Sequence, residues 1–239
     1  MENITYPNIN LEKLILTSPD SNQQILKFDK LNLIIDEYLE NLNKLNLNFN
    51  PSPNIKIVST KLEFLEMTQL RSKVFSPING FNLEFPEMLK GLQYDLFDTQ
   101  SINLIHKTEN KIDGTIRILL DSKLGLQTQK QFPKEISNLR KNSNLAELTR
   151  LAIDPNSQGG TILKQLYQNT SQIKEITNTD NYIGCMTQQL YHKVYEKFGM
   201  QIEKTIPSYG KLNYPCYITS WTKDDYTKFY KTKILGEKN

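Results

Sequence analysis

The chain has 239 residues, 38% of them hydrophobic, enough to bury a core in one large domain or in one domain with an appendage. A formal net charge of +3, with Lys and Arg interspersed among acids, is too small to imply nucleic acid, although a modest basic patch for an acidic protein partner stays open. No apolar run approaches the roughly 20 residues of a membrane span, Met1-Glu2-Asn3-Ile4 begins no signal peptide, and Cys185 and Cys216 show no metal-type spacing, so a cytoplasmic protein with reduced core cysteines is expected.

Leu26, Leu31, Ile34, Ile35, Tyr38, Leu39, Leu42 and Leu45 recur at three- and four-residue steps, which predicts an amphipathic helix ending in an Asn-rich turn. Asn50-Pro51-Ser52-Pro53-Asn54 then breaks the chain. Residues 1–54 are therefore expected to form an N-terminal helical extension and linker, which packs on a main domain of residues 55–239 or serves a partner or a second copy. Residues 55–58 read as a strand and 62–74 as a helix closed by Arg71 and Phe75. Residues 76–93 hold Pro77, Gly80 and Pro86 without periodicity, a long irregular loop of the kind kept for function. Strands at 102–106 and 114–120 flank the Asn110-Lys111 turn as a hairpin, and a strand or loop near 124–128 and a short helix near 134–140 follow.

The stretch from Ser143 to Pro155 places one carboxylate, Glu147, and one guanidinium, Arg150, in a run rich in Leu, Ile and Ala. It then passes through Gly159-Gly160 into a helical pattern. Strand, glycine turn and helix in that order put main-chain N–H groups beside an acid and a base, which suits a phosphate-bearing or thioester substrate. Residues three apart on a regular strand point to opposite faces, which would bury two charges separately at high cost. One extra residue in a β-bulge brings both to one face and frees local N–H groups, so irregular pairing is expected near 148–151. The alternative is a structural salt bridge for Arg150 with Glu147 facing solvent.

Ile162, Leu163, Leu166, Tyr167, Ile173 and Ile176 support a helix after Gly160. A strand at 181–186, a helix at 188–198 capped by Gly199, and strands at 200–205 and 218–221 complete the order. This predicts an α/β fold with a mixed sheet, antiparallel early and with a parallel crossover in the middle. His106 and His192 have no acid or serine at motif spacing and read as structural.

Tyr195-Glu196-Lys197-Phe198-Gly199-Met200 resembles the last helix of GNAT acyltransferases, which carries a tyrosine four residues before a glycine. The segment Asp154-Pro155-Asn156-Ser157-Gln158-Gly159-Gly160 resembles their pyrophosphate loop. The more specific pattern is Arg71 with Phe75, Asp95-Leu96-Phe97-Asp98, Gly114 with Arg117, and Glu147 with Arg150. In order and spacing it is similar to the acyl-homoserine-lactone (autoinducer) synthases and their relatives that acylate amino acids, over about 71–206. Two positions depart from that pattern: Phe81 stands where the family has Trp, and Gln93 where it has an acid.

The resemblance implies a GNAT-like mixed, mostly antiparallel central sheet flanked by helices. It implies transfer of a fatty acyl chain from an acyl thioester, on acyl carrier protein or on CoA, to a small primary amine. The product is an acyl-homoserine lactone or an N-acyl amino acid. The departures weigh against S-adenosylmethionine as acceptor, and no metal or permanently bound cofactor is implied. Glu147 is expected as the base that takes the ammonium proton, directly or through a water, if burial raises its pKa. An N–H freed by the bulge would bind the oxyanion. Tyr195 would be a general acid, or a half-buried packing residue.

On the acceptor side the resemblance places Arg71, Asp95, Asp98, Arg117 and Arg150, which hold the ammonium or a carboxylate or clamp the loop to the sheet, and Phe75 and Phe81, which line the acceptor side or pack. Gln158, Gly159 and Gly160 fall to the acyl donor. Ile183, Met186 and Leu190 line an acyl tunnel or belong to the core, and nothing near Cys185 would make it a nucleophilic thiolate. The competing functions are a catalytically inactive GNAT-fold protein that binds a ligand or partner, and an acetyl-CoA-dependent acetyltransferase.

Overall fold

The computed structural model describes residues 21–75, 89, 91–109, 111–157, 160–207 and 214–238. Seven strands form one sheet in the order β1-β2-β3-β4-β5-β7-β6. These are β1 (Ile55–Ile57), β2 (Ser101–Lys107), β3 (Ile112–Leu120), β4 (Leu145–Ile153), β5 (Asn181–Thr187), β6 (Gln201–Ile206) and β7 (Cys216–Trp221). Every neighbouring pair is antiparallel except β4 with β5, whose crossover is carried by the helix between them. That matches the α/β order expected from the sequence. Residues 124–128, open between strand and loop, form a turn leading into the 3-10 turn Thr128–Lys130.

The N-terminal helix α1 (Ser21–Leu45) buries Leu31, Ile34, Ile35 and Tyr38. They share a core cluster with Phe64, Leu65 and Met67 of α2 (Lys61–Val74), which lies against the same face of the sheet. The Tyr38 hydroxyl donates to the Val58 carbonyl at 2.8 Å, and the Asn41 amide to the Thr99 carbonyl at 2.9 Å. Full burial of a large apolar side chain is worth about 1.5–3 kcal/mol, so α1 is held by the sheet and α2 rather than by helix propensity.

On the opposite face α4 (Gly160–Ile176) packs Ile162, Leu166, Tyr167 and Ile173 onto Ile116, Ile118, Ala146 and Tyr182. Gly114 permits that approach: a β-carbon there would stand 2.5 Å from Ile162 Cγ2 and 3.3 Å from His106 Cβ. The expected helix over 188–198 is broken into Gln188–Leu190, a π-helical turn Tyr191–Tyr195 and a 3-10 turn Glu196–Phe198. Gly199 ends it in the left-handed region at φ 94°, and any side chain there would meet the main chain of Asp225. The short helix α3 (Pro133–Arg140) covers the sheet face carrying Leu119, Leu145 and Ile183.

Candidate active site

The expected irregularity lies in β4. Arg117 pairs with Thr149 and Thr115 with Ala152, so Arg150 and Leu151 together oppose Ile116. Arg150 adopts φ 54°, the left-handed conformation that lets one extra residue be absorbed. The bulge turns the Arg150 side chain to the face that already carries Glu147 and Thr149, where Arg117 donates from Nε to Thr149 Oγ1 at 2.8 Å.

A row of alternating charges crosses this face. Arg71 donates from Nη1 to Asp98 Oδ1 at 2.8 Å and from Nη2 to Asn103 Oδ1 at 2.7 Å. Arg117 stands 3.3 Å from Asp98 and donates to Asp95 Oδ1 at 2.6 Å, while Arg150 donates to Asp95 Oδ2 at 2.9 Å. Asp95 also caps the 3-10 turn Leu96–Gln100 by accepting from the Phe97 N–H, and Asp98 accepts from the Asp95 N–H, so the pair is locked by its own main chain. Burial pushes the Asp95 carboxyl up, but Arg117 and Arg150 outweigh it and hold the group well below the usual carboxylate range. Burial likewise pulls the Arg71 guanidinium down, which Asp98 partly offsets. The Asp98 side chain is 0% exposed and that of Asp95 20%, so Asp95 is the acid of the pair that solvent touches. Phe75 ends α2, its N–H donating to the Arg71 carbonyl, and packs against the cluster beneath α1.

Glu147 is buried on the same face. Thr128 holds it at both oxygens: the main-chain N–H donates to Oε2 at 3.1 Å and the hydroxyl to Oε1 at 2.6 Å. Burial raises the Glu147 pKa against these bonds and against the Arg117 charge. The adjacent Gln127 accepts from Arg117 Nη2 at 2.7 Å, so one corner of chain serves both the acid and the guanidinium. Neither Gln127 nor Thr128 stands out in the sequence, since their partners are 10 and 19 residues away and no periodicity joins them.

Beside Glu147 the sheet parts. β4 and β5 pair over Leu145, Ala146 and Glu147 against Asn181, Tyr182 and Ile183, yet β4 runs on to Ile153 and β5 to Thr187. Residues 148–151 and 185–187 are partly exposed where the strands diverge, whereas those before them are buried. The opening is a wedge with main chain on both sides, and the acid sits at its closed end. Ile183 and Cys185 belong to the acid's side, Met186 packs with the α4 core, and Leu190 is exposed. Ile183, Met186 and Leu190 therefore do not form one tunnel wall. The Cys185 thiol contacts Cys216, and that contact together with burial pushes it far up.

Tyr195 lies under α4, across the sheet from Glu147, with its ring 5.8 Å from Tyr167 and its pKa pushed by burial to about 12. Gly160 opens α4, and Gln158, Gly159 and Phe81 lie outside the described residues. His106 has an acid in reach that motif spacing does not reveal: Nδ1 contacts Asp113 across the hairpin, and both side chains are buried, in keeping with a structural role. A cleft of about 970 Å³ at the Leu120–Leu145 end of the sheet is bordered by none of the expected site residues, so it is distinct from the wedge. Among the described residues no group of three or more His, Cys, Asp and Glu side chains is placed to hold a metal, and no helix is long and apolar enough to cross a membrane.

Residues 67–220 match the family described as N-acyl amino acid synthase FeeM. Among solved structures, that of FeeM, an N-acyl amino acid synthase from uncultured soil microbes, superposes with TM-score 0.59 at 17% identity, over 72% of this chain and 92% of that one. The acyl-homoserine lactone synthase LasI gives TM-score 0.56 at 16% identity, over 77% of this chain and 98% of LasI. The CoA-dependent acyl-homoserine lactone synthase BjaI, solved with SAM and isopentyl-CoA, gives 0.55 at 13%, over 73% and 82%. At these identities the likeness is one of fold. No curated protein matches the sequence.

Proposed function

From the premise that this chain belongs to the FeeM N-acyl amino acid synthase family, and is an acyltransferase of GNAT-like fold, we propose that it joins a fatty acyl group from acyl carrier protein to the amine of an amino acid. The observation that carries the reading is the bulge at Arg150, which sets a buried acid, a charge clamp and the wedge between β4 and β5 side by side. In the reaction the acceptor ammonium gives a proton to Glu147 through a water, and the free amine attacks the thioester carbonyl. The C–N bond forms, the C–S bond breaks, and the leaving thiolate takes up the proton that the attacking nitrogen gives off as it becomes the amide. A main-chain N–H of β4 beyond Glu147 stabilises the oxyanion, a contribution of about 3–4 kcal/mol in comparable sites. Arg117 and Arg150 hold Asp95 for the ammonium, or present themselves to the acceptor carboxylate.

An amino acid rather than S-adenosylmethionine is supported by the family match and by Gln93. Its buried amide puts no negative charge at the position the resemblance gives to the acceptor pocket. The test incubates the purified protein with acyl carrier protein thioesters or acyl-CoA, and with amino acids or S-adenosylmethionine, and analyses the products by mass spectrometry. N-acyl amino acids from the carrier-protein thioester are expected. An acyl-homoserine lactone would overturn the acceptor, turnover confined to acyl-CoA the donor, and no transfer from any thioester the reading itself.

A further inference from the structure

We propose that Thr128 is a positioning residue for the acyl-transfer reaction, fixing both oxygens of the Glu147 carboxylate through its own hydroxyl and main-chain N–H. The proposal rests on the reading of Glu147 as the base. Thr128 is 0% exposed and Glu147 1%, so water does not compete for these bonds. Two donors from one residue, 3.1 Å from Oε2 and 2.6 Å from Oε1, leave the carboxylate a single orientation.

The corner is shaped for this task at the expense of its own turn. A hydroxyl at the start of a helical turn ordinarily bonds the local main chain. Here Thr128 opens the 3-10 turn Thr128–Lys130 but gives its hydroxyl to a carboxylate 19 residues ahead. Gln127, at the cap position, makes no side-chain cap bond and turns to Arg117 instead. The charged and titratable groups that face Glu147 are Arg117 from β3 and Cys185 from β5. Lys130, on the corner itself, lies over the Phe97 ring, 4.5 Å from its centroid.

The two donors are chemically unequal, and the difference directs the proton. A main-chain N–H can only donate, so Oε2 remains an acceptor in either state. A hydroxyl can donate to an ionised Oε1 and, by rotating, accept from a protonated one. The lone pair of Oε1 that faces the hydroxyl can therefore carry the proton taken from the ammonium, whereas the lone pair of Oε2 that faces the N–H cannot.

The test compares wild type with T128V, which removes the hydroxyl at equal shape, and T128S, which keeps it. The Glu147 carboxyl is followed by 13C NMR titration, its resonance identified by its loss in E147Q, alongside kcat/KM against pH. In T128V the Glu147 titration is expected to move up by about one pH unit, because the charge-assisted bond to the ionised form is stronger than the one the hydroxyl makes to the protonated form. The acid limb of kcat/KM moves with it, and T128S restores both. T128A carries the same comparison if T128V does not fold. An unchanged titration in T128V or T128A, or a T128S that behaves like T128V, overturns the proposal. Absence of turnover in the wild type strikes the functional reading instead, and the NMR comparison still decides whether Thr128 holds the acid.

Discussion

Arg150 reaches Asp95 Oδ2 at 2.9 Å from a main chain at φ 54°, a conformation that costs an L-residue roughly 1–2 kcal/mol and glycine almost nothing. Replacing Arg150 by Gly or by Ala removes the same ion pair, so the difference between the two isolates the bulge. R150G is expected to be the more stable by about 1 kcal/mol in urea unfolding. Equal midpoints, or a more stable R150A, would mean that this residue does not occupy the left-handed region.

Asp95 has a different role from Arg150, because its loss leaves a buried cation behind. Arg117 has no exposed surface, and in D95N it retains Asp98 as its remaining acid partner, at 3.3 Å. Breaking one member of a buried pair costs about 3–5 kcal/mol, and D95N should lose stability of that order at neutral pH. The pH dependence fixes the cause. A carboxyl whose folded pKa is depressed contributes stability above its unfolded value of about 4, and that contribution fades as pH falls toward the folded one. The deficit of D95N measured by denaturation should therefore be constant from pH 7 to about pH 5 and shrink below about pH 4. A deficit that persists undiminished at pH 3 would point to packing instead.

The parity of two residues makes the centre of the site legible in the sequence. Glu147 and Arg150 stand three apart on a strand of alternating faces, and two buried charges on two faces cost too much, so the strand has to bulge. Amphipathic spacing likewise places α1 and α4. The grip of Thr128 on Glu147 is not legible, because a contact across 19 residues between a loop and a strand leaves no period in the sequence. Nor is the His106–Asp113 contact, since hairpin register depends on the turn. The π-helical turn at Tyr191–Tyr195 has no signature of its own, because its apolar residues also fit a regular helix.

Glu147 titrates in the opposite sense to Asp95. Burial raises its pKa, so folding favours the protonated form, and its charge becomes a burden as pH rises through the folded value. Glutamine fits the same place, accepting from the Thr128 N–H with its oxygen and donating to the hydroxyl with its amide. E147Q should lose about 10²–10⁴-fold in turnover if Glu147 is the base. It should also be as stable as wild type or more so at pH 8, with the advantage vanishing below about pH 4. Full turnover in a folded E147Q would remove Glu147 from the chemistry.

Cys185 borders the wedge beside Glu147 and invites a covalent reading, in which the acyl group passes through a thioester on the enzyme. The electrostatics argue against it: contact with Cys216 and burial push the thiol far up, and the thiolate is the nucleophile. C185A is expected to keep turnover within a few-fold of wild type, and mass spectrometry of wild type quenched during turnover should find no acyl adduct on Cys185. A stoichiometric adduct that forms and decays at the turnover rate would reverse this assignment.

Whether α1 is part of the domain or an arm kept for a partner is decided by what its inner face touches. Ile35 is completely buried in a cluster that also holds Phe64 and Met67 of α2 and Ile105 of β2, and Tyr38 is bonded to the chain just after β1. An arm that could leave would expose that cluster, so helix and sheet are expected to unfold together. I35A should cost about 2–5 kcal/mol and shift a single transition followed by tryptophan fluorescence and by circular dichroism alike. The sole tryptophan, Trp221, lies in the separate cluster under α4, so it reports on α1 only if the two cores are cooperative. A change seen by circular dichroism alone, with the Trp221 transition unmoved, would identify α1 as an independently melting appendage.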